Sequence, residues 1–396
     1  MRDTILVINA GSSSIKFQLF GLGSGDALDR RFKGQIEGIG GSRPRLEVKD
    51  ASGKVTCDQV YGPEQAADVK GAQDLLGGWL VQQIDELPIA VGHRVVHGGP
   101  DFVQPMLVDD TLLDRLEALV PLAPLHQPNN LAPIRSIRDR RPELPQVACF
   151  DTAFHRSHPA VADHFAVPEE LYREGVRRYG FHGLSYEYIA TRLPAVAPAI
   201  ARGRVVVAHL GSGCSACAMA GGRSIDSTMG FTALDGLPMG TRPGQLDAGV
   251  VLYLMQQGKD ARAIEHFLYH ECGLKGLSGL SNDVRDLLAS DDPRAKLALD
   301  YFGYRTAQAI AALASSMGGL DGIVFTAGIG EHAAPVRADI CRRCRWMGVD
   351  LDEERKADTL PRITTEASAV PVFVVPTNEE WMIARHTLAV VRAKQA

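Results

Sequence analysis

Apolar and polar residues alternate with a period of two through much of the first fifty positions, and the rest of the chain answers to that pattern. An unbroken apolar run, Ile5 to Ile8, ends in Asn9; small residues follow from Gly11 to Ser14, and Ile15, Phe17 and Leu19 then resume on one face. The pattern predicts a β-hairpin with a hydroxyl-rich turn and one cation, Lys16, just beyond it. Backbone amides, hydroxyls and a lysine at one strand end suit a phosphate, although the same residues make an ordinary Ser/Gly turn. Alternation returns at Arg31 to Glu37 and Arg45 to Lys49, which extends the hairpin into an antiparallel meander. Glu64 to Ile84 carries a helical stripe of Ala67, Leu75, Leu76 and Leu80. The segment from Ile89 to Gly99 predicts a strand ending in two glycines. Helices are predicted over Thr111 to Leu119 and Asn130 to Arg140, and Val147 to Asp151 is a strand closing on a carboxylate. Polar residues gathered at strand ends are the signature of an α/β domain with its site along one sheet edge.

A second series begins near Arg178. Val205 to Leu210 runs into Gly211, Ser212 and Gly213, then into Cys214 to Met219 and Gly222 to Asp226. With Asn9 laid on His209, Gly11 falls on Gly211 and Ser12 on Ser212, a short echo that points to a duplicated domain. Helices are expected over Leu246 to Gln257, Ala261 to Tyr269 and Pro293 to Met317. A strand and glycine turn span Gly322 to Ala333, and Val372 to Val375 and Glu379 to Ala393 complete the series. Two similar α/β halves facing each other across a cleft would make a nucleotide clamp.

Composition narrows this picture in three ways. A chain of 396 residues exceeds one core and implies two domains. The net charge of −5 argues against a nucleic-acid surface, so anions must be met by local arginines. No window resembles a membrane span, and Met1 to Thr4 leads directly into a strand, so the expected location is cytoplasmic. Seven cysteines in such a chain are expected as reduced thiols. Cys214/Cys217 and Cys341/Cys344 have zinc-like spacing, but the first pair falls on opposite faces of a strand, and both read as small hydrophobes.

The candidate chemistry lies at the punctuation points. Gly328, Gly330 and Ala333 form a GxGxxA turn between strand and helix, with Asp350 farther on, which leaves a dinucleotide reading open. The weak following strand and the late position count against it, and a turn receiving a nucleotide's α-phosphate or ribose fits better. No phosphate-loop lysine motif and no protein-kinase signature occurs. Arg94 and Arg242 sit among small residues, where a charge without an anion is costly. Asp151 ends a buried strand, Glu379 and Glu380 open a helix, and each could be a simple cap. Glycines flank and expose His182; His126 lies in a proline loop; Asp283-Val284-Arg285 could be a plain helix-start pair.

Eight motifs taken together resemble the acetate kinase family, which phosphorylates short carboxylic acids with ATP. They are Asn-Ala-Gly-Ser-Ser-Ser-x-Lys at 9–16, Gly-His-Arg-Val-Val-His-Gly-Gly at 92–99, Phe-Asp-Thr-Ala-Phe-His at 150–155 and Arg-Arg-Tyr-Gly-Phe-His-Gly at 177–183, with Met-Gly-Phe-Thr at 229–232, Met-Gly-Thr-Arg at 239–242, Phe-Thr-Ala-Gly-Ile-Gly-Glu at 325–331 and Pro-Thr-Asn-Glu-Glu at 376–380. The resemblance implies an α/β fold of duplicated ribonuclease-H-like domains, of the actin-like ATPase superfamily, flanking an interdomain cleft. It also implies a homodimer. The first domain is expected over 1–150 with the helix 379–396, and the second, carrying the nucleotide pocket and dimer interface, over 151–378.

Position by position, the resemblance makes Asn9 and Glu379 associates of Mg²⁺ (or Mn²⁺), Lys16 a nucleotide contact with Ser12 and Ser14 beside it, and Arg94 the carboxylate binder. Asp151 becomes an active-site acid, and His182 and Arg242 stabilise the transferring phosphoryl group. The ATP pocket falls on His209, Leu210, Gly211, Ser212 and Gly213, on Asp283, Val284 and Arg285, and on Gly328, Ile329, Gly330, Glu331 and His332. Val96, Leu125, Phe181 and Ala233 line the pocket for the acid's methyl group. Ser212 and His332 each replace a usual Asn, which bears on the phosphate donor. Leu184 and Tyr186 replace Thr and His beside His182. Ala233 replaces a common Pro, which should widen the acyl pocket toward propionate. A carboxylate is already ionised at neutral pH, so the expected reaction is direct, reversible in-line transfer, with charge stabilisation in place of a general base. Asp151 is then expected to position other groups rather than take a proton. A nucleotide-dependent switch of the chaperone or actin type is the non-enzyme alternative.

Overall fold

The computed structural model describes residues 3–11, 13–84, 87–124, 126–353 and 361–395. The chain divides into two compact units, one formed by Met1–Ala153 with Asn378–Ala396 and the other by Phe154–Thr377.

The first unit is built on one eight-stranded sheet. Its strands are β1 (Thr4–Ala10), β2 (Ser14–Leu22), β3 (Leu28–Glu37), β4 (Arg45–Asp50), β5 (Val55–Val60), β6 (Ala90–Val95), β7 (Met106–Leu107) and β8 (Gln146–Phe150). The spatial order is β5-β4-β3-β2-β1-β6-β8-β7, antiparallel from β5 to β1 and parallel across β1, β6 and β8. The parallel strands have both faces covered, which explains why β1 reads as a continuous apolar run rather than an alternating one. One face carries the helices Val69–Gln83 and Gln127–Arg140, with Leu6, Ile8, Leu76, Leu80 and Val91 in a shared core. The helix Glu379–Gln395 packs on β1, β6 and β8. Gly92 lets it seat, because a Cβ there would lie 2.3 Å from Thr387 Oγ1. The helix expected from Glu64 begins only at Val69, where Asp68 caps it by accepting the Gly71 N–H; the residues before it form turns.

The second unit has a five-stranded sheet of β9 (Arg204–Leu210), β10 (Cys214–Ala220), β11 (Arg223–Ser227), β12 (Gly322–Thr326) and β13 (Val372–Val374), ordered β11-β10-β9-β12-β13. A meander of three antiparallel strands followed by two parallel ones repeats the first unit's β3-β2-β1-β6-β8. That repetition of order is the duplication hinted at by the echo between Asn9 and His209. The turns differ by one residue: Gly11 donates to the Ser14 carbonyl and Gly211 to the Gly213 carbonyl. Consequently Asn9 pairs with Lys16 but His209 with Ser215. The helix Pro293–Ser316 packs on β9 and β10, and the helix Gly183–Val196 contributes Tyr186, Ile189 and Leu193 to a core with Val205, Val207 and Phe373. Among the described residues the cysteines are free thiols, and no helix is long and apolar enough to cross a membrane.

Candidate active site

The predicted residues fall into two groups, one in each unit. In the first unit they collect at the C-terminal ends of β1, β6 and β8. Arg94 is on β6, and Asp151 directly follows β8, 1% exposed, with its N–H donated to the Val95 carbonyl. The Arg94 guanidinium grips that carboxylate through Nε (3.0 and 3.1 Å) and Nη2 (2.5 Å), while Nη1 reaches Asn9 Oδ1 at 3.4 Å. Glu379 lies on the same side, 4.0 Å from Arg94 Nε. Burial opposes the charge of Arg94, but Asp151, Glu379 and Glu380 outweigh it and hold the guanidinium above its ordinary pKa. One edge of the fork is therefore committed to Asp151, and the Nη1 edge has only a long contact.

The Glu379 carboxyl is raised to about 7, mainly by burial, with Asp151 and Glu380 adding to the rise and Arg94 and Lys16 opposing it. Three carboxyls facing two cations leave a deficit of positive charge. The oxygens of Asn9 and Glu379 fit a hard divalent cation that keeps most of its water and takes its remaining ligands from phosphate, as Mg²⁺ does. Among the described residues no cluster of three acidic, His or Cys groups forms a ready-made cage. Lys16 stands opposite Asn9 across the hairpin, so both side chains lie on one face.

Two residues that sequence reasoning missed hold this corner in place. Asn130 accepts the Val96 N–H at 2.9 Å and donates to the Ala10 carbonyl at 2.7 Å, tying the ends of β6 and β1 together. Asn378 caps the final helix by accepting the Trp381 N–H at 3.0 Å, which leaves Glu379 free of the capping role considered for it. The motif Pro-Thr-Asn-Glu-Glu contained that signal.

In the second unit, His182 and Arg242 converge on Gly213. A Cβ at that glycine would sit 3.1 Å from Arg242 Nη2 and 3.3 Å from His182 Nε2. Arg242 is half-buried, and its Nη1 donates to the Ala233 carbonyl at 2.8 Å. Burial lowers its pKa, opposed only by the Cys214 thiol and the Tyr269 hydroxyl, and among the described residues no carboxylate pairs with it. His182 has a left-handed backbone (φ 58°, ψ 24°) at the start of the helix Gly183–Val196, which turns its ring out of the helix. The ring stacks on His209 (centroids 4.1 Å apart, 14° between planes), and Nδ1 lies 2.8 Å from Ser215 Oγ. Tyr186 Oη bonds the same Ser215 hydroxyl. The unusual tyrosine thus stands in the shell that orients His182, and Ser215 is a further residue missed in the sequence. His209 Nδ1 is fixed by Ser185 Oγ at 2.8 Å, which in turn meets Thr377 Oγ1 at 2.8 Å.

The remaining nucleotide-side residues are spread over three turns of the second unit. Leu210 is buried under the hairpin, and Ser212 is exposed at its tip beside Gly211. Asp283 caps the helix Val284–Leu288 and pairs with the exposed Arg285, so the plain helix-start reading describes its local role. Gly328, Ile329 and Gly330 lie in the short helix Ala327–His332 after β12. There Glu331 Oε1 accepts the N–H of Ala327 (2.9 Å), itself at φ 64°, and of Thr377 (3.2 Å), while His332 is exposed. Glu331 therefore shapes the turn. Of the acyl-pocket candidates, Val96 is buried in the first unit and Phe181 in the second, with Ala233 half-buried. Ser14 opens β2; Ser12 and Leu125 lie outside the described residues.

The acetokinase family model matches residues 4–385. An acetate kinase from Nitrobacter hamburgensis (strain DSM 10229 / NCIMB 13809 / X14) is 58% identical over 390 residues, covering 98% of this chain and 96% of that one. A crystal structure of a propionate kinase from Francisella tularensis subsp. tularensis SCHU S4 is similar with a TM-score of 0.91 at 36% identity, covering 98% of this chain and 100% of that one. The Porphyromonas gingivalis acetate kinase structure matches with a TM-score of 0.87 at 33% identity and the same coverages.

Proposed function

The chain belongs to the acetokinase family and is a phosphotransferase acting on a carboxyl group, and from that premise we propose how its own residues serve the reaction of ATP with acetate. Its two sheets of repeated order are the duplicated ribonuclease-H-like domains of the actin-like ATPase superfamily. Acetate reaches the site as an anion, so the obstacle is charge repulsion rather than nucleophile activation. The Nη1 edge of Arg94 receives the carboxylate, and Asp151 holds the other edge so that the guanidinium cannot turn away. Asp151 is a positioning residue and takes no proton.

Arg242 and His182 meet the transferring phosphoryl group at the glycine turn, where Gly213 allows close approach. In His182 the hydrogen-bond chain runs from Tyr186 O–H to Ser215 Oγ and from Ser215 O–H to His182 Nδ1. That tautomer leaves Nε2–H as a donor toward a phosphoryl oxygen. A carboxylate oxygen bonds to the γ-phosphorus as the β–γ bridging bond breaks, and its electron pair leaves on ADP; the reverse step makes ATP from acetyl phosphate. Asn9 and Glu379 would hold Mg²⁺, which supplies charge neutralisation for the phosphates when bound.

The observation that carries this reading is a half-buried, unneutralised Arg242 sharing one glycine with His182, a pre-formed receptor for a multiply charged oxyanion. The test is steady-state kinetics by hydroxamate trapping of acyl phosphate. Arg242→Ala should lose kcat with KM for acetate nearly unchanged, and Arg94→Ala should raise KM for acetate much more than for ATP. An equal rise in both KM values for Arg94→Ala would overturn its role.

A propionate activity alongside acetate is favoured by Ala233 in place of the family's usual proline, and the similar Francisella protein carries the name propionate kinase. The homodimer is supported by the helix Ala248–Gln256 in the second unit, where Leu252, Tyr253 and Met255 are each more than half exposed. Light scattering that returned a monomer mass would refute it. Free thiols and an ATP-consuming reaction fit a cytoplasmic enzyme.

A further inference from the structure

The first unit contains an open-sided cavity of about 580 Å³ that none of the transfer chemistry uses. It lies between the helices Val69–Gln83 and Gln127–Arg140, on the sheet face carrying Leu6, Ile8 and Val91, with Leu80, Ile84 and Leu144 completing its apolar wall. Its volume falls within the range of ordinary small-molecule sites.

Two features distinguish it from a packing defect. The first is polar. Gln73, 7% exposed, donates its amide N–H to the Pro133 carbonyl, yet among the described residues its Oε1 has no hydrogen-bond partner, and the buried Ser136 Oγ has none either. Both residues line the cavity. Leaving such groups unpaired costs about 1–3 kcal/mol each, which a bound donor would recover. The second is the glycine pair Gly77-Gly78 in the middle of the helix Val69–Gln83. Each glycine costs a helix about 1 kcal/mol relative to alanine, and a tight backbone contact is the usual reason for keeping one. Among the described residues there is none: a Cβ on either glycine would meet nothing within 4 Å, and both line the cavity. The helix is left bare where the cavity needs room. At the rim stand Arg140, paired with Asp74, and the exposed Arg141, for which no ion pair occurs among the described residues.

We propose that this cavity is a ligand site for a compact apolar carboxylic acid bearing one O–H or N–H donor, separate from the acetate and ATP sites. The apolar wall takes the body, Gln73 Oε1 accepts the donor, and Arg141 meets the carboxylate. The site backs onto β1 and β6, whose far ends carry Asn9 and Arg94, and Leu6 pairs with Val91 and Ile8 with His93 across those strands. An occupant therefore touches the strands that hold the carboxylate-binding corner.

The probe is 3-(4-hydroxyphenyl)propionate, titrated by calorimetry into the full-length protein with acetate and an ATP analogue saturating. Saturable binding at millimolar concentration or tighter is expected. Removing the phenol hydroxyl from the probe should weaken binding about fivefold, the value of one hydrogen bond to a buried acceptor. Arg141→Ala, an exposed change, should weaken it about tenfold, as expected for one charge-assisted contact. Gly77→Leu should fill the cavity, abolish binding and leave kcat for acetate unchanged. No saturable binding by either probe, or binding unaffected by both Arg141→Ala and Gly77→Leu, would overturn the proposal. These outcomes do not depend on the roles assigned to Arg94, His182 or Arg242.

Discussion

Arg94 in the first unit lies against a buried carboxylate, whereas Arg242 in the second has a backbone carbonyl for a partner and, among the described residues, no acid paired with it. The two side chains are of one type, at strand ends or glycine loops of two repeated folds, yet their electrical circumstances are opposite. Charge balance accounts for the difference if the first arginine meets a singly charged acid and the second a more highly charged phosphoryl group. A neutralised arginine can orient a monoanion by geometry without trapping it. An unneutralised one contributes most when extra negative charge arrives.

The contrast breaks most visibly in stability. Arg94→Ala strands Asp151, 1% exposed, without its partner, and should cost about 3–5 kcal/mol in urea denaturation. Arg242→Ala removes a charge that burial already disfavours, and its unfolding midpoint should stay the same or rise. A matching loss in both variants would erase the distinction. Next in size is turnover: Arg242→Ala should lower kcat by about 10²–10³-fold, the range for removing one preorganised donor at a site of developing charge.

Acid should separate the units as well. His155 is buried and His158 half-buried in the second unit, with pKa values pushed well below normal and down to about 3, respectively. Burial is the main cause for both, and Arg156 adds to it. His93, buried in the first, is lowered to about 4 by burial, against its bond to Gln146. Groups with depressed pKa values stabilise the fold fully above their unfolded pKa near 6.5. That contribution is lost as pH falls toward the folded values, because the unfolded chain takes up protons first. Hydrogen exchange between pH 7 and pH 4 should therefore show the second unit, with two such groups, losing protection faster than the first.

Smaller effects sharpen the view of His182. Tyr186→Phe should cut kcat about threefold to tenfold through loss of one orienting hydrogen bond, with circular dichroism unchanged and the pH profile of kcat displaced. Smallest is Ala233→Pro, which should shift the kcat/KM ratio toward acetate over propionate by a few fold, the scale of a methylene in an apolar pocket.

Much of this was legible beforehand because it is local. The hairpin from Ile5 to Leu19, the carboxylate closing the Val147 strand and the glycines around His182 each announce themselves within a dozen residues. The first long helix starts five residues later than its apolar stripe suggests, because a stripe does not reveal its cap, and Asp68 supplies it. Asn130 and Ser215 escaped notice for a different reason. Their partners lie 34 and 33 residues away, and nothing near either residue names the atom it will meet.

The amino-acid order alone determined the duplicated α/β plan and the set of polar residues at strand ends, since periodicity and turn chemistry act over neighbouring residues. Tertiary structure decided which arginine is neutralised, why the usual histidine could become Tyr186, and where a cavity opens beside Gly77. Those outcomes depend on burial and on partners far apart in the chain. Charge and hydrogen bonding are resolved by distance in space, which only folding sets.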